Sequence, residues 1–184
     1  MAERTRTTDV AAAAEAALRS AAGLRATVIV VSDEVASGAD TDRGGPVAVD
    51  LLAAHGVPAD RCMVPDDPGR LRAAIGAAID SGARVVLACG GTGIGPRDWT
   101  SDVVRALIDV EIPGIGEEIR RRGSAHTRLA LVSREVAGVV LRDEAPSVLL
   151  LAAPGSRGGI RDTLGVVGDL IGYILEQLDG AGHV

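Results

Sequence analysis

From Arg25 onward the chain alternates short apolar runs with helical stretches, and this alternation leaves few folds open. "ATVIVVS" (26–32), "RCMV" (61–64), "RVVLAC" (84–89) and "SVLLLAA" (147–153) are too short for helices. Their Val, Ile and Leu content is that of strands covered on both faces. Between them, "PVAVDLLAAHG" (46–56) has Pro46 near its first turn and Gly56 beyond its end, the punctuation of a helix. "PGRLRAAIGAAIDSG" (68–82) sets Leu71, Ile75 and Ile79 on one stripe, and "SDVVRALIDV" (101–110) reads as a third helix. "GVVLR" (138–142) is expected to pair with 147–153 as a hairpin across "DEAP". "GIGEEIRRR" reads as helical, and one last helix over 158–178 carries Ile160, Leu164, Val167, Ile171, Ile174 and Leu178. Such alternation predicts an α/β domain with a mostly parallel sheet.

The chain has no Phe, one Trp and one Tyr, so the core must be built from aliphatic side chains. Its 184 residues suit one domain, assigned to 25–184, with 1–24 an N-terminal extension that is helical or disordered. All 19 basic residues are Arg. Any positive charge offered to an anion must therefore come from Arg, a metal or a helix N-terminus. A net charge of −6 argues against nucleic acid and anionic membranes as partners. No run has membrane-spanning length and no leader is visible, so the cytoplasm is the expected location. Cys62 and Cys89 lie in apolar runs and suggest neither a disulfide framework nor a metal site.

Polar residues gather where strands end. Ser32 and Asp33 follow the first, Pro65, Asp66 and Asp67 the second, and the 90–98 loop the third; Pro154, Gly155 and Ser156 follow the last. In a parallel sheet these loops share the carboxyl rim, where ligands bind. The third loop, "CGGTGIGPRDWT" (89–100), lacks the Lys of a Walker A motif and the spacing of a dinucleotide fingerprint. Its glycines still allow backbone N–H groups to approach an anion, beside a helix N-terminus. Asp98 in this loop and Asp66 on its neighbour make a two-carboxylate Mg²⁺ site plausible, since Mg²⁺ often takes one or two carboxylates plus substrate phosphates. Glu117 and Glu118 are expected to pair with Arg120–Arg122 on a solvated helix face.

"CGGTGIGPRDWTSDVV", "PGIGEEIR", "VPDD" and "SREVAG" together resemble the molybdenum-cofactor biosynthesis domain of the molybdopterin adenylyltransferase family, across about residues 25–178. The resemblance implies a three-layer α/β/α sandwich that forms trimers, in some members hexamers. It implies Mg²⁺-dependent transfer of AMP from ATP to molybdopterin, with release of diphosphate. Asp66 and Asp98 match the catalytic and metal-binding aspartates. Gly90, Gly91, Thr92 and Gly93 match the ligand-lining loop, with Arg97 and Thr100 in the same block. Ser133 and Arg134 match the Ser-Arg pair beside the pterin and its phosphate. Ser32 and Asp33, Glu117, and Pro154, Gly155 and Ser156 complete the implied binding set. Two departures stand out: Cys89 replaces a common Thr, and "PGSRGG" has Arg157 where many members place a Lys. They motivate an alternative, a non-catalytic molybdopterin-binding or assembly protein of the same fold; a third reading is nucleotide binding with an unrelated substrate.

Overall fold

The computed structural model describes residues 24–180; the 1–24 extension, except Leu24, lies outside them. Six strands form one sheet in the order β2-β1-β3-β6-β5-β4. They are β1 (Ala26–Val31), β2 (Ala59–Val64), β3 (Val85–Cys89), β4 (Val110–Glu111), β5 (Val136–Val140) and β6 (Val148–Ala153). β2, β1, β3 and β6 run parallel, while β5 pairs antiparallel with β6 and with β4. The helices are α1 (Asp33–Ala36), α2 (Gly45–Ala54), α3 (Pro68–Asp80), α4 (Thr100–Arg105), α5 (Pro113–Ser124), α6 (Arg157–Val167) and α7 (Ile171–Leu178). Two 3₁₀ turns, Arg128–Val132 and Gly168–Leu170, precede β5 and join α6 to α7.

Strand alternation sorts the aliphatic residues into two cores, as a three-layer α/β/α sandwich requires. Val28, Val30, Val85, Leu87, Leu149 and Leu151 face α2, α5, α6 and α7. Ile29, Val31, Val86, Ala88, Leu150 and Ala152 face α3 and α4. Every residue of β3 and β6 is buried, and β2 at the edge is only half covered. Leu71, Ile75 and Ile79 form the buried stripe of α3, as their spacing predicts.

Three expectations need correction. The helix expected over 101–110 ends at Arg105, because the chain turns there and donates Asp109 N–H to Val139 O, which starts the edge strand β4. The strand expected over 138–142 begins and ends two residues earlier. The last helix is broken at Gly168, which is buried because the His55 ring fills the space a β-carbon would need. His55 Nδ1 also stands 3.2 Å from Asp169, tying α2 to this break.

The antiparallel β5 matters most for the site. Val136 pairs with Ala152, so the segment leading into β5 reaches the same rim as the ends of the parallel strands. Ser133, Arg134 and Glu135 therefore join a rim otherwise built from strand-ending loops.

Candidate functional site

The rim begins with two glycines that no other residue could replace. Gly90 has φ +114, and a β-carbon there would collide with the Val31 carbonyl. Gly91 has φ +58, and its β-carbon would lie 2.7 Å from Thr100 Oγ1. Only Gly adopts these angles freely. Thr100 N–H returns to Gly91 O at 3.0 Å and closes the loop at the start of α4.

Asp33 and Asp66 hold each other. Asp33 N–H donates to Asp66 Oδ2 at 3.0 Å, and Asp66 N–H to Asp33 Oδ1 at 2.9 Å. This exchange locks the end of β1 to that of β2. Arg97 donates to the other Asp33 oxygen, binding the glycine loop to the pair. Asp98 folds back on its own loop, its Oδ2 accepting Gly95 N–H at 2.7 Å. The remaining oxygens are free. Asp66 Oδ1 lies 3.7 Å from the β-position of Gly91 and Asp98 Oδ1 3.6 Å from that of Gly93, and neither has a hydrogen bond among the described residues. Thr100 Oγ1, fully buried beside Gly91, also lacks a partner.

Arg134 is a clamp. Its Nε donates to Gly93 O at 2.6 Å, its Nη2 to Asp98 O, and its Nη1 to both Asp102 oxygens at 2.9 Å. Its backbone N–H donates to Thr92 O at 2.8 Å, and the Thr92 and Ser133 hydroxyls are 3.2 Å apart. The three guanidinium nitrogens are thus spent on holding the glycine loop and the first turn of α4, which Lys could not match.

Three depressions surround this network. The largest, of about 540 Å³, lies among α5, the 128–132 turn and α6, and is lined in part by Ser133, Glu135, Pro154 and Ser156. A second, of about 390 Å³, runs between Ser32, Asp42, Arg43, Gly155 and Arg157, with Cys89 as its floor. Ser156 belongs to both, and caps α6 by accepting Gly159 N–H at 3.1 Å. The third, of about 300 Å³, lies outside the loop against Ile94, Asp98, Trp99 and Arg134. Complete burial pushes the Cys89 thiol up to about 12, with Asp42 adding to the effect.

Of the residues singled out from the sequence, Asp33, Asp66, Gly90–Gly93, Arg97, Asp98, Thr100, Ser133 and Arg134 form one connected network. Ser32 sits beside it, its hydroxyl capping α1 through Val35 N–H. Glu117 is exposed on α5, lines none of the three depressions and pairs with no described residue. Its neighbour Glu118 pairs with Arg121 at 2.6 Å, as a solvated face would. Asp102 and Glu135 were not anticipated. The available signal for Glu135 was a carboxyl group at the entrance of an apolar strand, in "SREVAG". It is 3% exposed, and burial raises its pKa above the usual glutamate value against hydrogen bonding and the Arg120 charge. Among the described residues no three acidic, His or Cys side chains gather into a metal cage, and no helix is long and apolar enough to cross a membrane.

Comparison with known proteins points one way. A family model described as "Probable molybdopterin binding domain" matches residues 27–172. The molybdenum cofactor biosynthesis bifunctional protein of Synechococcus elongatus is 37% identical over 163 residues, covering 88% of this chain. The chain spans about half the length of that protein, 50%, and the same share of its counterpart from Chlorobaculum tepidum. The molybdopterin adenylyltransferase of Pyrococcus furiosus is 32% identical over 82% of this chain and 88% of its own. The crystal structure of the tungsten cofactor synthesizing protein MoaB, also from Pyrococcus furiosus, matches with a TM-score of 0.80 and 30% identity, over 85% of this chain and 98% of that one.

Proposed function

Because the chain belongs to the family of probable molybdopterin binding domains, we propose that it acts in molybdenum cofactor biosynthesis as a molybdopterin adenylyltransferase. In this reaction an oxygen of the molybdopterin phosphate attacks the α-phosphorus of ATP. The bond from that phosphorus to the bridging oxygen breaks, diphosphate leaves, and AMP is joined to molybdopterin. The observation that carries this reading is the pair of free carboxylate oxygens, Asp66 Oδ1 and Asp98 Oδ1, each over the missing β-carbon of a glycine.

The donor chemistry of these two carboxylates suits Mg²⁺. Two carboxylates are what it commonly takes from a protein when substrate phosphates supply further oxygens. When bound, it would offset the charge of the polyphosphate in a chain whose own net charge is −6. The rest is the work of protein groups. Gly90–Gly93 open the backbone to phosphate oxygens, and the buried Thr100 hydroxyl has a hydrogen bond left to give. Asp33 and Arg97 fix Asp66 and the loop in one position, and Arg134 holds the loop from behind. Ser133 stands between the loop and the large cavity, where the molybdopterin phosphate would sit. The working assembly is a homotrimer, or a hexamer built from it, in the cytoplasm.

Incorporation of labelled AMP from ATP onto molybdopterin, with Mg²⁺ present, tests the proposal. Asp98→Asn should lower kcat by about 100-fold or more while leaving the fold intact. Molybdopterin binding without any AMP transfer, unchanged in Asp98→Asn, would instead identify a binding or assembly protein.

A further inference from the structure

The cavity among α5, the 128–132 turn and α6 holds a feature that adenylyl transfer does not use. Glu135 stands in its wall with its side chain 2% exposed, and its Oε2 has no hydrogen-bond partner. The nearest cation, Nη1 of Arg120, is 3.6 Å away, too far for a hydrogen bond. A buried carboxylate oxygen left without a partner is destabilising unless something else supplies one. Much of its wall is apolar, with Ile119, Leu129, Ala130 and Pro154, while Arg122, His126, Arg161 and Asp162 also line it. At about 540 Å³ it lies within the range of small-molecule sites, which combine apolar walls with a few placed polar groups.

We propose that Glu135 reads the amino-pyrimidinone edge of a pterin seated in this cavity, and so selects the heterocycle of the substrate. The unpaired Oε2 can accept one hydrogen bond, and the 2-amino group of a pterin has one to give. The flat ring would lie against the aliphatic walls. The phosphate-bearing arm would leave past Ser133, whose hydroxyl is 3.2 Å from that of Thr92 on the glycine loop. Arg120 Nη1, 3.6 Å away, offsets the carboxyl charge. This assignment rests on the proposal that the substrate is molybdopterin, and adds which residue recognises its ring.

Fluorescence titration with 6-hydroxymethylpterin tests it on the whole chain, beside the analogue with an oxo group in place of the 2-amino group. The pterin should bind at least tenfold more tightly than the analogue, and Glu135→Met should weaken pterin binding at least tenfold and erase that preference. The melting temperature of Glu135→Met should hold or rise, because the variant removes an unpaired buried group. Equal binding of the two compounds, equal binding by wild type and variant, or no pterin binding at millimolar concentration would each overturn the proposal. AMP transfer measured in parallel separates the two claims. Transfer to molybdopterin with an unchanged KM in Glu135→Met sinks the role of Glu135 alone. Pterin binding that depends on Glu135, without AMP transfer, sinks adenylyl transfer and leaves the ring site standing.

Discussion

The two sides of the rim treat their charged groups in opposite ways. Around the glycine loop, Asp33 meets Asp66 and Arg97, and Arg134 meets Gly93, Asp98 and Asp102, so each charge is anchored by several hydrogen bonds. Across Ser133, the Glu135 carboxyl is buried with a cation at 3.6 Å and an oxygen that bonds to nothing. The first arrangement creates position: satisfied networks are stiff, and phosphoryl chemistry depends on placing reacting oxygens. The second keeps recognition capacity in reserve, at the expense of stability. One side is held in place by the protein's own bonds, with an oxygen each of Asp66 and Asp98 left open; the other leaves a buried oxygen without support.

Substitutions can strain this contrast, and the largest effect belongs to the glycine-loop side. Gly90→Ala should lose about 3 kcal/mol or more in urea unfolding, since it demands a disfavoured φ and pushes a methyl into the Val31 carbonyl. A loss under about 0.5 kcal/mol would mean that the loop is softer than its hydrogen bonds imply. Arg134→Lys comes next. It keeps the charge but not the fork, and should lose about 1–3 kcal/mol, with faster amide hydrogen exchange from Gly95 to Trp99. Unchanged exchange there would show that Arg134 is not what holds the loop.

The smallest effect, and the one of opposite sign, is on the Glu135 side. Folded Glu135 keeps its proton more tightly than the unfolded chain does, because burial opposes its charge. Its contribution is therefore fully present below the ordinary value of 4.5 and is lost as pH climbs through the raised one. Glu135→Gln cannot ionise, so it should match wild type below pH 4.5 and become the more stable protein as pH rises above it. Melting curves across that range decide. If wild type gains on the variant as pH rises, Arg120 completes the pair after all.

Much of this could be read before any coordinates. The aliphatic runs became strands because nothing else buries such short segments, and Leu71, Ile75 and Ile79 faced the core as a helical period demands. The failures came where tertiary contacts overrode local pattern. Nothing in "SDVVRALIDV" announces that Asp109 will bond to Val139 and end the helix five residues early. Gly168 breaks the last helix because His55, more than a hundred residues away, occupies its missing side chain. In the site, Asp66, Asp98 and the glycines were visible because strand ends in a parallel sheet meet at one rim. Ser133 and Arg134 came only from resemblance, since their place depends on β5 running backwards, and Glu135 gave only a faint signal because burial decides its importance.

The only tryptophan in the chain stands directly after Asp98, 45% exposed at the head of α4, and a single tyrosine is the sole other aromatic. Excited at wavelengths that a phenol does not absorb, the protein is dark except at this loop. Its ultraviolet emission is thus a signal from one place, and will change colour or intensity when a charged ligand displaces water around Asp98. A pterin nearby absorbs where an indole emits, so energy passing from Trp99 to the ring would measure their separation. The same loop that orients phosphates would serve as the lamp by which each substrate's arrival is timed.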